Sequence, residues 1–250
     1  MRHETGRVSA RAPNAAARLA GRSMIFWDEP GYVVAFTTRV GGVSDGVYAS
    51  LNLTRGTGDD PEKVEENRRL ACEALELPYE HLAFNRQVHS PTVHRAGPGM
   101  RGEPGDGLWT DEPRVPLLAM SADCLPIAIV RTAGPRAIAV LHAGWRGLSE
   151  GVVAAGVQAL GDGPFAAVIG PAIGPCCYEV GPEVSGLFDD DLTVDGKLDL
   201  WSAAERALHM AGVERVERVD VCTRDFPELF FSHRRDGRDR GVQGVIGAVT

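Results

Sequence analysis

Four short apolar runs constrain this chain most: residues 115–122, 125–130, 137–142 and 166–169. Each is too short for a typical helix and apolar almost throughout, which is the pattern of strands buried on both faces. Residues 32–39 (Tyr-Val-Val-Ala-Phe-Thr-Thr-Arg), 219–223 and the closing segment 242–249 add further strands. Helical stretches lie between them. Asp59-Asp60-Pro61 supplies an acidic cap and a proline at the first helical position, and predicts a helix to about Leu77 with Val64, Ala71 and Leu75 on its buried face. The spacing of Leu148, Val152, Ala155 and Ala159 predicts a helix over 145–160; Trp201, Ala204, Leu208 and Ala211 predict another over 198–211. Helix and strand alternate irregularly, without repeat or heptad, which gives an α+β or mixed α/β fold.

The 250 residues suit one large domain over 24–250. Residues 1–23 are Arg/Ala-rich and lack the apolar stretch of a signal peptide, so they read as a disordered tail. The net charge of −8 argues against a nucleic-acid surface, although the arginines near the C-terminus (Arg234, Arg235, Arg238, Arg240) could serve a small anion. No apolar run is long enough for a membrane span. Five cysteines, two of them adjacent, do not make a secreted disulfide framework and point to a reducing cytosol.

Three segments carry candidate chemistry: Gln87-Val88-His89, Ser121-Ala122-Asp123-Cys124-Leu125-Pro126 and Leu141-His142-Ala143-Gly144-Trp145-Arg146-Gly147. One thiolate and two imidazoles from separate segments suit a zinc ion with an open fourth position. Asp123 and Glu179 are candidates for proton handling. The ligands are 35 and 18 residues apart, too far for a compact metal motif. On spacing alone, a buried cysteine with two hydrogen-bonded histidines ranks first, zinc second, and a Cys124 nucleophile with a histidine base third. Two glycine-rich loops follow strands, at 40–46 and at 170–180, and His142 and Arg146 bracket a strand-to-helix turn suited to an anion.

These motifs, taken together and in order, resemble the YfiH/laccase-domain family. The match is carried by Phe36-Thr37-Thr38-Arg39, Gly41-Gly42-Val43-Ser44, Ser50-Leu51-Asn52-Leu53, Gly58-Asp59-Asp60-Pro61 and Asn67-Arg68, then by the three central segments. Ile169-Gly170-Pro171, Cys177-Tyr178-Glu179-Val180, Phe230-Phe231-Ser232 and Arg234-Arg235-Asp236-Gly237 complete it. The resemblance spans about residues 32–247. It implies a monomeric α/β/β/α fold, related to a toxin's cysteine-hydrolase domain, with zinc on His89, Cys124 and His142. It further implies phosphorolysis of adenosine, inosine and methylthioadenosine, with some adenosine deamination. Arg39, Ser44 and Arg146 are the candidates for phosphate or ribose contact. The chain departs from the family at His233, at Thr223-Arg224-Asp225-Phe226-Pro227 and at Asp106-Gly107-Leu108-Trp109-Thr110. Copper polyphenol oxidation, a Cys124-based hydrolase and a non-catalytic binding role are the alternatives. Seven histidines without one His-x-His pair argue against a multicopper cluster.

Overall fold

In the computed structural model, which describes residues 23–250, two six-stranded sheets are stacked face to face. The first has the order β1 (Met24–Trp27), β2 (Tyr32–Thr37), β14 (Gln243–Val249), β7 (Leu117–Ser121), β3 (Ala83–Arg86), β5 (Arg101–Pro104). The second runs β13 (Arg215–Arg218), β10 (Phe165–Ile169), β8 (Leu125–Arg131), β9 (Ile138–Ala143), β6 (Gly107–Thr110), β4 (Val93–Arg95). A two-stranded ribbon, β11 (Thr193–Val194) with β12 (Lys197–Leu198), stands apart from both.

Side-chain alternation explains the uninterrupted apolar runs. Along β8, Leu125, Ile127 and Ile129 face one core while Ala128 and Val130 face another. The inner core joins Val34, Phe36 and Val245 of the first sheet to Val130, Ile138, Val140 and Val168 of the second. Outside the second sheet lie α2 (Trp145–Ser149), α3 (Val152–Ala159) and α5 (Leu200–Met210); outside the first lies α1 (Pro61–Ala74). Short helices α4 (Pro182–Ser185) and α6 (His233–Asp236) complete the set. Strands covered on both faces cannot alternate with polar residues, so both faces read as apolar. The result is the expected mixed α/β domain layered α/β/β/α.

Asp60 caps α1 by accepting from the Glu62 amide at 2.9 Å, as the sequence predicts, though the helix ends at Ala74. The single helix expected over 145–160 is two. Gly151 adopts φ +92°, which ends α2; of the predicted face Leu148 and Val152 are buried, while α3 buries Val153, Gly156 and Val157 in place of Ala155 and Ala159. The strand expected at 219–223 is also displaced. β13 precedes it, and this segment forms only an isolated bridge between Cys222 and Ala172. Pro91 lies, as expected, between two strands (β3 and β4), but these belong to different sheets. Apart from Ser23, the expected N-terminal tail falls outside the described residues. No described helix is long and apolar enough to cross a membrane.

Candidate metal centre

His89, Cys124 and His142 converge, their ligand atoms within 4.8 Å of one another. Each reaches this point from a different kind of backbone. His142 sits in β9 opposite Pro126 and is buried. Cys124 closes the turn between β7 and β8 and is half-buried. His89 occupies the loop between β3 and β4 and is exposed, its ring 4.9 Å from that of His142 in an edge-on arrangement. A side open to solvent at His89 and closed at His142 is the shape of a site that admits a ligand.

The loops are held in costly conformations. Only five described non-glycine residues have positive φ, and two of them, His89 (+60°) and Asp123 (+90°), are here. Such conformations cost on the order of 1–3 kcal/mol each and persist where surrounding contacts enforce them. For Asp123 those contacts are three donors: Thr223 Oγ1 at 2.6 Å, Ser232 Oγ at 3.0 Å and the Arg234 amide at 2.6 Å. Its carboxylate is thereby occupied. Asp123 fixes the Cys124 turn rather than standing free to move protons.

The residue that organises the site is Asp106, at the head of β6. One carboxylate oxygen accepts from the Val88 and Ser90 amides and the Ser90 hydroxyl, at 3.0, 2.7 and 3.1 Å, and so shapes the His89 loop. The other lies 2.8 Å from His142 Nδ1. Its backbone carbonyl accepts from the His142 amide at 2.7 Å. Gln87 locks the same loop to β7 through a two-way bridge with the Met120 backbone. In the sequence, Asp106 stands out only as part of a departure from a family pattern. The one signal pointing to it is an acidic residue directly ahead of a strand.

Electrostatics follow from this framework. Asp106 is buried, which disfavours its charge, but the hydrogen bonds from His142, Ser90 and Val88 outweigh that and hold its carboxyl well below the usual range. Burial likewise opposes the Cys124 thiolate, yet the His142 charge and hydrogen bonds from His142 and His89 bring it down to about 6. Burial opposes the charged form of His142 too; Cys124 and Asp106 prevail and raise it to about 9. A thiolate beside an imidazole that donates its Nδ1 proton to a carboxylate is a donor set that fits zinc, which His89, Cys124 and His142 would hold, His142 through Nε2. Gly144 makes room for it: a Cβ there would stand 2.9 Å from Cys124 Sγ and 3.1 Å from His89 Cδ2.

The remaining predicted residues take other positions. Ser44 is buried; its hydroxyl donates to Asp59 at 2.6 Å and accepts from Asn67 at 2.9 Å, so it braces the 40–46 loop. Arg39 donates Nε to the Ala49 carbonyl and Nη1 to the Pro227 carbonyl, and lies over Phe231. Arg146 is exposed at the start of α2, and Glu179 is exposed with its carbonyl held by Arg234. Two groups outside the predicted site feel the Cys124 charge. Tyr178 is pushed up by burial and then by Cys124, and carries Arg234 over its ring at 5.3 Å. Arg240 is lowered by burial but favoured by Asp123 and Cys124, and its Nε is buried without a hydrogen-bond partner among the described residues.

A family model described as multi-copper polyphenol oxidoreductase laccase matches residues 33–249. Over 231 residues the chain is 38% identical to the purine nucleoside phosphorylase YfiH of Escherichia coli (strain K12), covering 84% of this chain and 91% of that one. It is 39% identical over 227 residues to a purine nucleoside phosphorylase of Pseudomonas aeruginosa, covering 85% and 92%. The crystal structure of YlmD from Geobacillus stearothermophilus superimposes with a TM-score of 0.84 at 34% identity, covering 92% of this chain and 97% of that one.

Proposed function

The chain belongs to the family described as multi-copper polyphenol oxidoreductase laccases, and on that premise we propose that it is a zinc-dependent purine nucleoside phosphorylase. Its substrates are adenosine, inosine and methylthioadenosine, with adenosine deamination as a side activity. The relatives' names supply the reaction class. The observation that carries the reading is the three-ligand group of His89, Cys124 and His142 with its exposed side at His89. Three protein ligands leave a position for substrate, as a catalytic zinc site requires. The two imidazoles and single thiolate favour zinc over a multicopper cluster, which needs more histidines than converge here.

Zinc held by His89, Cys124 and His142 would supply Lewis acidity. In phosphorolysis a phosphate oxygen bonds to C1′ of the ribose, the C1′–N9 bond breaks, and the base leaves with the electron pair and takes up a proton. Asp106 orients His142 by holding its Nδ1 proton. Arg39, Arg146 and Arg240 are the candidates for phosphate contact, since guanidinium groups match its oxygens in pairs. Ser44 acts indirectly, by holding the glycine-rich loop. The chain works as a monomer in a reducing cytosol.

A second reading has one specific support. Cys124, His142 and Asp106 form a relay in which a thiolate stands beside an oriented imidazole, the arrangement of a thiol hydrolase. Purified wild type and Cys124→Ala, incubated with inosine or adenosine with and without phosphate, decide between them. Zinc binding and phosphate-dependent release of hypoxanthine or adenine, both lost in the variant, are the expected result. Zinc-free wild type without purine product would overturn the phosphorylase.

A further inference from the structure

A second group of donors lies in the loops behind the Cys124 turn. Cys176, Cys177, Cys222 and Asp225 bring four ligand atoms within 4.8 Å of one another. The two adjacent sulfurs are 3.1 Å apart, and each donates to one oxygen of Asp225, at 3.3 and 3.2 Å. All three thiols are free. The Gly174 amide donates to Cys222 Sγ at 3.3 Å, the kind of contact that supports a sulfur bearing negative charge. A Cβ on Gly174 would meet Cys176 Sγ at 3.2 Å and the Trp201 ring at 3.0 Å, so glycine is what lets the loop close around the sulfurs.

We propose that Cys176, Cys177, Cys222 and Asp225 form a second, closed zinc site that clamps the loops gripping Asp123. Four protein ligands around one ion are characteristic of structural rather than catalytic zinc. Tetrahedral ligands at about 2.3 Å from zinc stand roughly 3.8 Å apart, so Cys176 and Cys177 need to separate by only about 0.7 Å. Cys177 and Cys222 are buried while Cys176 and Asp225 are exposed, which gives the ion an entry path and three sulfur ligands matched to a thiophilic metal. The clamp is direct. Cys222 precedes Thr223, whose amide donates to Ala172 and whose hydroxyl donates to Asp123; the Ile173 amide donates to the Asp123 carbonyl. Ligands on both sides of this junction would tie residues 172–177 to 222–225.

The test counts zinc per full-length chain in wild type, Cys124→Ala, and a Cys176→Ser/Asp225→Asn double variant, whose two exposed positions leave the buried sulfurs in place. Circular dichroism checks that each is folded. The expected counts are two in wild type and one in either variant. Cobalt-loaded Cys124→Ala keeps most of the thiolate-to-metal absorption, and the double variant loses most of it. Amides 172–177 and 221–226 exchange faster in the double variant. One zinc in wild type that the double substitution leaves untouched would overturn the site. So would a disulfide among Cys176, Cys177 and Cys222 in freshly purified protein. Unchanged amide exchange after loss of the second ion would overturn the clamp.

Discussion

The two cysteine-containing clusters of this molecule are built on opposite plans. At His89, Cys124 and His142, one ligand stands in a strand and two in strand-flanking loops, and a buried carboxylate that is not a ligand orients both histidine segments. At Cys176, Cys177, Cys222 and Asp225 all donors are on loops, the carboxylate is itself among the donors, and orientation comes from the backbone. The first plan offers three protein donors and tunes the acidity of its ligands; the second offers four. A free coordination position and tuned ligands are what chemistry needs, while a full set of protein ligands is what a loop clamp needs.

The largest effect is expected from Cys124→Ala. Nucleoside turnover should fall to background and one metal equivalent should vanish, by product chromatography and metal analysis, while the four-donor cluster keeps its ion. Asp106→Asn comes next. It retains the side-chain shape but cannot accept the His142 proton and the loop amides together. Metal affinity or activity at the first site should drop on the order of 10- to 100-fold, read by competition with a chelator.

These two substitutions also mark what the sequence makes legible. His89, Cys124 and His142 stand out by residue type near strand ends, but spacing alone ranks them as structural residues first; their convergence is visible only in the structure. Asp106 does not stand out this way, because the pairing of β6 with β9 is what carries it to a histidine 36 residues away. The apolar runs announce buried strands, while the four layers are implied only by the family resemblance. They cannot show the break at Gly151, where one glycine's φ overrides a continuous helical periodicity. Ser44 and Asp123 illustrate a different limit. Their motifs flag importance, but only the hydrogen bonds reveal that each serves as a brace.

A matched pair of smaller changes sharpens the contrast. Gly144→Ala crowds Cys124 and His89, and Gly174→Ala crowds Cys176 and Trp201. The first should lower turnover by about tenfold with little change in thermal stability; the second should lower melting temperature with little change in turnover. Kinetics and thermal melts on the two variants check this crossed pattern.

The smallest effect concerns metal-free protein. Burial opposes the Cys124 thiolate, but His142 and His89 more than offset it, so its alkylation rate should rise through a midpoint near pH 6. At Cys176, burial and its bonds to Cys177 and Asp225 push the thiol far above the ordinary value, so alkylation there should stay slow at neutral pH. The stability contributions have matching signs. Cys124, with a depressed folded value, contributes fully above the ordinary thiol range of about 8.5 and loses that contribution as pH falls through about 6. His142, with a raised folded value, contributes fully below about 6.5 and loses it as pH rises through about 9. Mass spectrometry of alkylated peptides across pH, with melts of the metal-free protein, reads both.

The most direct measurement is anomalous X-ray scattering at the zinc edge from crystals of the metal-replete protein. The expected result is a peak bonded to His89, Cys124 and His142 at about 2.0–2.3 Å, with the remaining position facing the His89 side and filled by no protein atom. A peak closed by a fourth protein ligand, or no peak between these three side chains, would contradict it.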